Sequence, residues 1–295
     1  MKTKFNKVVR LLSLPLTLIL VAGMVGGDSE IVTAEPLGWP ETGMICTTDP
    51  TSGSASFTLT ARDGTISTPD GNVVYMWGYS AGGDPFQHPS PVLCVDEGDT
   101  VTVVLHNLLT EDVSIIFPGQ ENVQANGVPS QPVFNGTGEL TSLAPVAAPG
   151  GSVTYSFVAG KPGTYIYESG TEPAKQINMG LYGALVVRPA MNVYDAGTGE
   201  LLEAYAYNDP DSRYKPSTEY LLVISEIDPM LHVAVEQGYL YNMNDYKPRY
   251  WMYNGRAFPD TVASNGAEWL PSQPYGSLVY IHPFDDQPTL PDGVT

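Results

Sequence analysis

An all-β fold, an antiparallel sandwich, is what this sequence predicts, and three observations carry the prediction. Strand-like runs recur between turn signals, helical periodicity is scarce, and 30 glycines and 26 prolines punctuate the 295 residues. The runs are Phe57 to Ala61, Val73 to Gly78, Val92 to Val95, Thr100 to His106, Val113 to Phe117, Ser152 to Val158, Gly163 to Glu168 and Leu181 to Val187. Between them stand Asp70-Gly71, Glu97-Gly98-Asp99, Ala148-Pro149-Gly150-Gly151 and Lys161-Pro162-Gly163, where glycine supplies positive φ and proline fixes φ. With 42% hydrophobic residues a core can form, and these runs place one antiparallel domain at residues 44–190.

After Arg188-Pro189 the chain turns polar and turn-rich, through Asn208-Asp209-Pro210-Asp211 and Tyr214-Lys215-Pro216, and reads as a linker over residues 191–218. Beyond it a buried-strand candidate, Tyr220 to Ile224, precedes a short helix from Pro229 to Gln237. An aromatic run, Arg249 to Tyr253, follows and closes on Asn254-Gly255. Residues 219–295 therefore open a second domain, too short to close a sandwich of its own, with a patternless acidic tail from Phe284 to Thr295.

Charge narrows the partners. Thirteen Lys and Arg stand against 32 Asp and Glu, a net charge of −19 that repels phosphate backbones and anionic surfaces, which excludes nucleic-acid binding. At the amino terminus Lys2, Lys4, Lys7 and Arg10 precede an apolar stretch from Leu11 to Ala22, and Val32-Thr33-Ala34 offers a small-x-small cleavage site. Residues 1–34 read as a signal peptide for an exported protein. The alternative is an uncleaved anchor, but a stretch interrupted by Pro15 falls short of the roughly twenty residues a span needs, so no membrane span is expected after cleavage.

The two cysteines, Cys46 and Cys94, read first as a disulfide in an oxidising compartment, and second as free thiols or metal ligands. Closing such a loop stabilises by roughly 4 kcal/mol in the chain-entropy treatment.

Four successions in order then suggest a family: Pro91-Val92-Leu93-Cys94-Val95-Asp96-Glu97-Gly98-Asp99-Thr100-Val101-Thr102-Val103, Pro149-Gly150-Gly151-Ser152-Val153-Thr154-Tyr155, Pro162-Gly163-Thr164-Tyr165-Ile166-Tyr167 and Gly180-Leu181-Tyr182-Gly183-Ala184-Leu185-Val186-Val187. Together they resemble the amino-terminal cupredoxin (plastocyanin-like) domain of multicopper oxidases. Tyr250 to Thr261 looks like the opening of the second domain of that family. The resemblance implies a cupredoxin-like Greek-key β-sandwich followed by an incomplete second one. It also implies a copper-dependent oxidoreductase that passes electrons from a reductant to dioxygen, giving water.

Copper is the cofactor the resemblance implies, and the residues do not support it. A trinuclear centre takes about eight imidazoles, supplied as His-x-His pairs on strands, whereas the sequence holds four histidines. Where the family has its first His-x-His-Gly, this chain reads Ser114-Ile115-Ile116-Phe117-Pro118-Gly119. Where it has His-Ser-His, this chain reads Glu168-Ser169-Gly170-Thr171, a glutamate and a glycine in the ligand places. Glu168 is expected to be a solvated or hydrogen-bonding group. His88, His106, His232 and His282 are each isolated, and each is expected to be a surface or hydrogen-bonded histidine. Neither cysteine sits beside a histidine as a type 1 copper requires.

There is no Gly-x-Ser-x-Gly, phosphate loop, Cys-x-x-Cys or His-Glu-x-x-His. Hence no catalytic, cofactor-binding or metal residue is assigned. The expected partner is a further protein or carboxy-terminal domains beyond this sequence, and the competing expectation is a non-catalytic binding or structural module of the cell envelope.

Overall fold

A computed structural model describes residues 46–47, 53–197, 201–215 and 219–262. The expected signal peptide, the tail from Phe284 and His282 lie outside the described residues. In chain order the first strands are β1 (Cys46–Thr47), β2 (Ser54–Ser67), β3 (Val73–Ala81), β4 (Val92–Asp96) and β5 (Thr100–Asn107). Short strands β6 (Gln124–Ala125) and β7 (Val128–Pro129) extend a sheet, and β8 (Val133–Phe134) and β9 (Leu140–Ser142) form a two-stranded arm. Strands β10 (Ser152–Val158) and β11 (Gly163–Glu168), helix α1 (Pro173–Met179) and β12 (Tyr182–Arg188) complete the domain.

Two sheets face each other, one ordered β1-β4-β12-β11 and the other β3-β2-β5-β10-β6-β7. Neighbours in space such as β4 and β12, or β2 and β5, are distant in sequence, as Greek-key winding between two sheets requires. Alternation decides the faces: β5 buries Val101, Val103 and Leu105, β10 buries Val153, Tyr155 and Phe157, and β2 buries Phe57 and Leu59. They meet Leu93, Val95, Tyr167, Leu185 and Val187 of the other sheet in one core. Each such side chain contributes about 1.5–3 kcal/mol relative to exposure. Strand β12 is buried on both faces, so Ala184 and Val186 join Val92 and Cys94 in an outer cluster. The disulfide expected between Cys46 and Cys94 is present, with the Cα atoms 5.4 Å apart, and ties β1 to β4.

The expected strand Val113 to Phe117 is not one: it makes only isolated bridges, Val113 to Ala147 and Ile116 to Glu168. Tyrosine hydroxyls occupy the ladder positions in between. Tyr79 Oη donates to the Ser114 carbonyl (2.9 Å) and the Ile115 amide donates to Tyr155 Oη (3.1 Å). Helix α1, absent from the sequence reading, starts at a proline and stops at Gly180, whose φ of 118° suits glycine.

In the stretch read as a linker, β13 (Val193–Tyr194), β14 (Leu201–Tyr205) and β15 (Arg213–Tyr214) form a small sheet. The Arg188 guanidinium anchors it, with a bidentate pair to Glu219 (3.0 and 2.9 Å) and a bond to Tyr214 Oη.

Beyond it come β16 (Ile224–Ile227), α2 (Pro229–Glu236), β17 (Tyr250–Tyr253) and β18 (Arg256–Ala257). The strand expected at Tyr220 to Ile224 starts instead at Ile224, because the Asn254 side chain replaces a partner strand there. It accepts from the Val223 amide (2.8 Å) and donates to the Leu221 carbonyl (3.1 Å). Leu221 and Val223 still cover the outer cluster on β4 and β12. Ile227, Met252 and Ala257 pack with Ile66, Val74 and Met76 of the sandwich, and Leu231 enters the main core.

Candidate functional site

The two stretches that carry the family's ligand pairs come together. Strand β11 ends at Glu168, which exchanges backbone hydrogen bonds with Ile116 (2.8 and 3.2 Å). Aligning His-x-His-Gly on Gly119 puts the first pair at Ile116 and Pro118, and Ile116 lies across from Glu168 and against Gly170. The backbone frame for a site is therefore in place, and the side chains decide its chemistry.

Hydroxyls and an amide hold this crossing. Ser114 Oγ, Ser142 Oγ and Thr171 Oγ1 form a buried triangle with sides of 2.9–3.0 Å. Ser169 Oγ donates to Gln176 Oε1 (2.6 Å), and Gln176 Nε2 donates to the Asp112 carbonyl (2.9 Å). Buried polar groups satisfied in this way rigidify a site. Ser142 reaches the triangle from the β8–β9 arm, and nothing in the sequence spacing signals it.

A copper cluster does not fit this donor set. Ile116 and Pro118 offer no donor, and Glu168 is a single half-buried carboxylate. At Gly170 a Cβ would stand 2.8 Å from Ile116 Cγ2 and 3.0 Å from Ser114 Oγ, so the space a ligand side chain needs is already filled. Burial raises the Glu168 carboxyl above its ordinary value. Among the described residues no three His, Cys, Asp or Glu side chains gather as a metal-holding group.

Two clefts flank the crossing. One of about 590 Å³ is lined by Gly170, Thr171, Ser142 and Leu143, with Glu111 and Lys175 at its rim. Lys175 Nζ sits 2.6 Å from both Glu111 and Glu172. Burial pulls its pKa down, but the bonds and charges of the two glutamates outweigh burial and raise it. The other cleft, about 450 Å³, is lined by Ile116, Phe117, Pro118 and Gln120.

The histidines stand elsewhere. His106 is exposed on β5, whereas His88 and His232 are buried. His232 bonds the Tyr75 carbonyl through Nδ1 (2.6 Å), and His88 meets Tyr182 edge to face.

A multicopper oxidase family model matches residues 64–192. Over these residues the chain is similar to that family. Its fold is cupredoxin-like. A probable nitrite reductase-hydroxylamine oxidoreductase fusion protein of Kuenenia stuttgartiensis is 33% identical over 143 residues, 46% of this chain and 16% of that protein. An L-ascorbate oxidase of Cucumis sativus is 36% identical over 104 residues, 35% of this chain and 16% of that protein. A solved blue copper oxidase from Nitrosomonas europaea, 20% identical, superposes with a TM-score of 0.49 over 70% of this chain and 55% of that one. The chain spans only 13–16% of the length of the curated relatives it matches most strongly. Copper is the cofactor that family implies, and in this chain Ile116, Pro118, Glu168 and Gly170 stand at the crossing described above.

Proposed function

We propose that this is an exported multicopper-oxidase-like protein whose first domain holds no copper, so that this chain by itself does not couple oxidation of a reductant to dioxygen reduction. The observation that carries the proposal is the filled crossing, where Ile116 occupies the space beside Gly170 and three hydroxyls bond one another beneath it. Export is supported by the basic and apolar leader of residues 1–34 and by the Cys46–Cys94 disulfide, a bond that persists in oxidising compartments. Among the described residues no helix is long and apolar enough to cross a membrane. The family's activity would then need domains or a partner protein carrying their own ligands.

The alternative, a binding or structural module of the cell envelope, is favoured by one feature: Leu140 and Leu143 line the larger cleft yet are exposed, with Phe134 exposed beside them on the arm.

The test loads the purified chain with Cu(I) or Cu(II), desalts it, and reads bound metal by native mass spectrometry and oxygen uptake with a phenolic reductant. The expected result is no retained stoichiometric copper and no uptake above the protein-free control. Several coppers held per chain would overturn the proposal. Binding by Ile116→His/Pro118→His but not by the wild type would place the deficit at those two positions.

A further inference from the structure

His232 and His88 lie at the seam between the sandwich and residues 224–262. His232, from α2, is fully buried, and its Nδ1 stands 2.6 Å from the Tyr75 carbonyl, 157 residues away in sequence. A carbonyl only accepts, so Nδ1 carries the proton, and the rest of the buried ring lies near the Asn178 backbone. His88 is 3% exposed. Its Nδ1 has no hydrogen-bond partner, and it lies 3.2 Å from the point where a Gly180 Cβ would stand. Its Nε2 is 3.4 Å from Tyr182 Oη. His232 is thus buried against the sandwich from its own segment, while His88 is buried on the sandwich side, beside Tyr182 and Gly180 and near enough to feel the His232 charge.

We propose that residues 224–262 are a proton-released flap: acidification charges His232 and His88 at the seam and frees this segment from a sandwich that stays closed.

The surroundings set the sign. Burial pushes His88 down to about 3, and the neighbouring His232 charge acts in the same direction. Burial likewise lowers His232, against the opposing pull of the Tyr75 and Asn178 backbone groups and the Asp228 carboxylate. Asp228 and Glu236 face His232 from its own helix, Asp70 and Tyr75 from the β2–β3 hairpin, and Arg249 and Tyr250 from the entry to β17. Their acidic members favour the charged ring without outweighing its burial. Tyr182 and Tyr246 meet the His88 side of the seam. Both rings therefore bind protons more readily when the flap is open. The stability of the closed form is complete above the ordinary histidine value near 6.5 and falls as pH drops below it. The flap shares its apolar contacts with the sandwich through Ile227, Met252, Ala257 and Leu231, so opening is a separation along one surface.

The inference stands whether or not copper binds. The experiment is amide hydrogen exchange of the full chain by mass spectrometry from pH 7.5 to 5, corrected for intrinsic exchange, with β5 and β10 as internal reference. The opening constant of residues 224–262 is expected to rise by up to about 60-fold between pH 6 and 5, each of two protons giving at most about an eightfold change from an open-state value near 6.5, while the sandwich strands keep their protection. In His88→Gln or His232→Gln the rise falls to about eightfold or less. A flat profile, or equal loss of protection in β5 and β10, overturns the proposal. Ring carbon NMR titration of the wild type decides the matter even if a variant fails to fold: two rings titrating near 6.5 in the closed protein overturn it as well.

Discussion

The sandwich and the segment at residues 224–262 contain similar strands and hold themselves together differently. In the sandwich, β2, β5 and β10 bury one face each against β4, β11 and β12, so Leu93, Leu105, Tyr155 and Leu185 are covered from both sides by the same domain. The later segment has no such arrangement among the described residues. Its Ile227, Met252 and Ala257 are buried against Ile66, Val74 and Met76, which belong to the sandwich. Its other face stays open: Ile224 pairs with Tyr253 and Glu226 with Trp251, and the three apolar members of those pairs are exposed. The difference teaches that strand pattern forms a sheet, whereas independence needs a second layer.

The largest test is the disulfide. Replacing Cys46 and Cys94 with alanine removes a 48-residue cross-link, and the loss of sandwich stability is expected to be about 4 kcal/mol, read by denaturant unfolding. A loss confined to residues 224–262 would break the comparison, because the bridge lies wholly within the sandwich. Met252→Ala sharpens it from the other side, with an expected cost of about 2–3 kcal/mol. That cost should appear as faster exchange of the segment, with β5 and β10 unaffected.

A smaller effect is expected at Asp228, which caps α2 through the Met230 amide and also accepts from Tyr241 Oη and the Lys247 amide. Burial raises its pKa, but these bonds outweigh burial and hold it below the ordinary aspartate value. Its contribution is therefore present above the unfolded value near 4 and lost as pH falls through the folded one. Asp228→Ala should cost about 1–2 kcal/mol at pH 7, and the cost should shrink as pH falls below the ordinary aspartate value, by denaturation along that range. The histidine contribution begins to fall already near 6.5, so between about pH 6.5 and 4 it acts before that of Asp228.

Lys175→Met should change stability by less than about 1 kcal/mol, since its pairs with Glu111 and Glu172 are partly exposed, and the difference should shrink in high salt.

The sandwich was legible because its signals are local. Alternation in Thr100–Asn107 and Ser152–Val158, together with glycine and proline at the turns, specifies faces without reference to distant residues. Val113 to Phe117 carries the same apolar pattern yet forms no strand, since its backbone partners are two tyrosine hydroxyls and two isolated bridges. The histidines show the same limit. Sequence reading treated His88 and His232 as isolated, and they are separated along the chain, but burial brings both to one seam.

From the sequence alone came the β-sandwich and the disulfide as the first reading of Cys46 and Cys94, because composition, period and motif are properties of neighbouring residues. Only the tertiary structure decided that Ser142 joins Ser114 and Thr171, that Ile116 fills the space beside Gly170, and that residues 224–262 borrow their core from the sandwich. Those outcomes depend on contacts between elements tens to hundreds of residues apart, which close packing selects and local pattern does not encode.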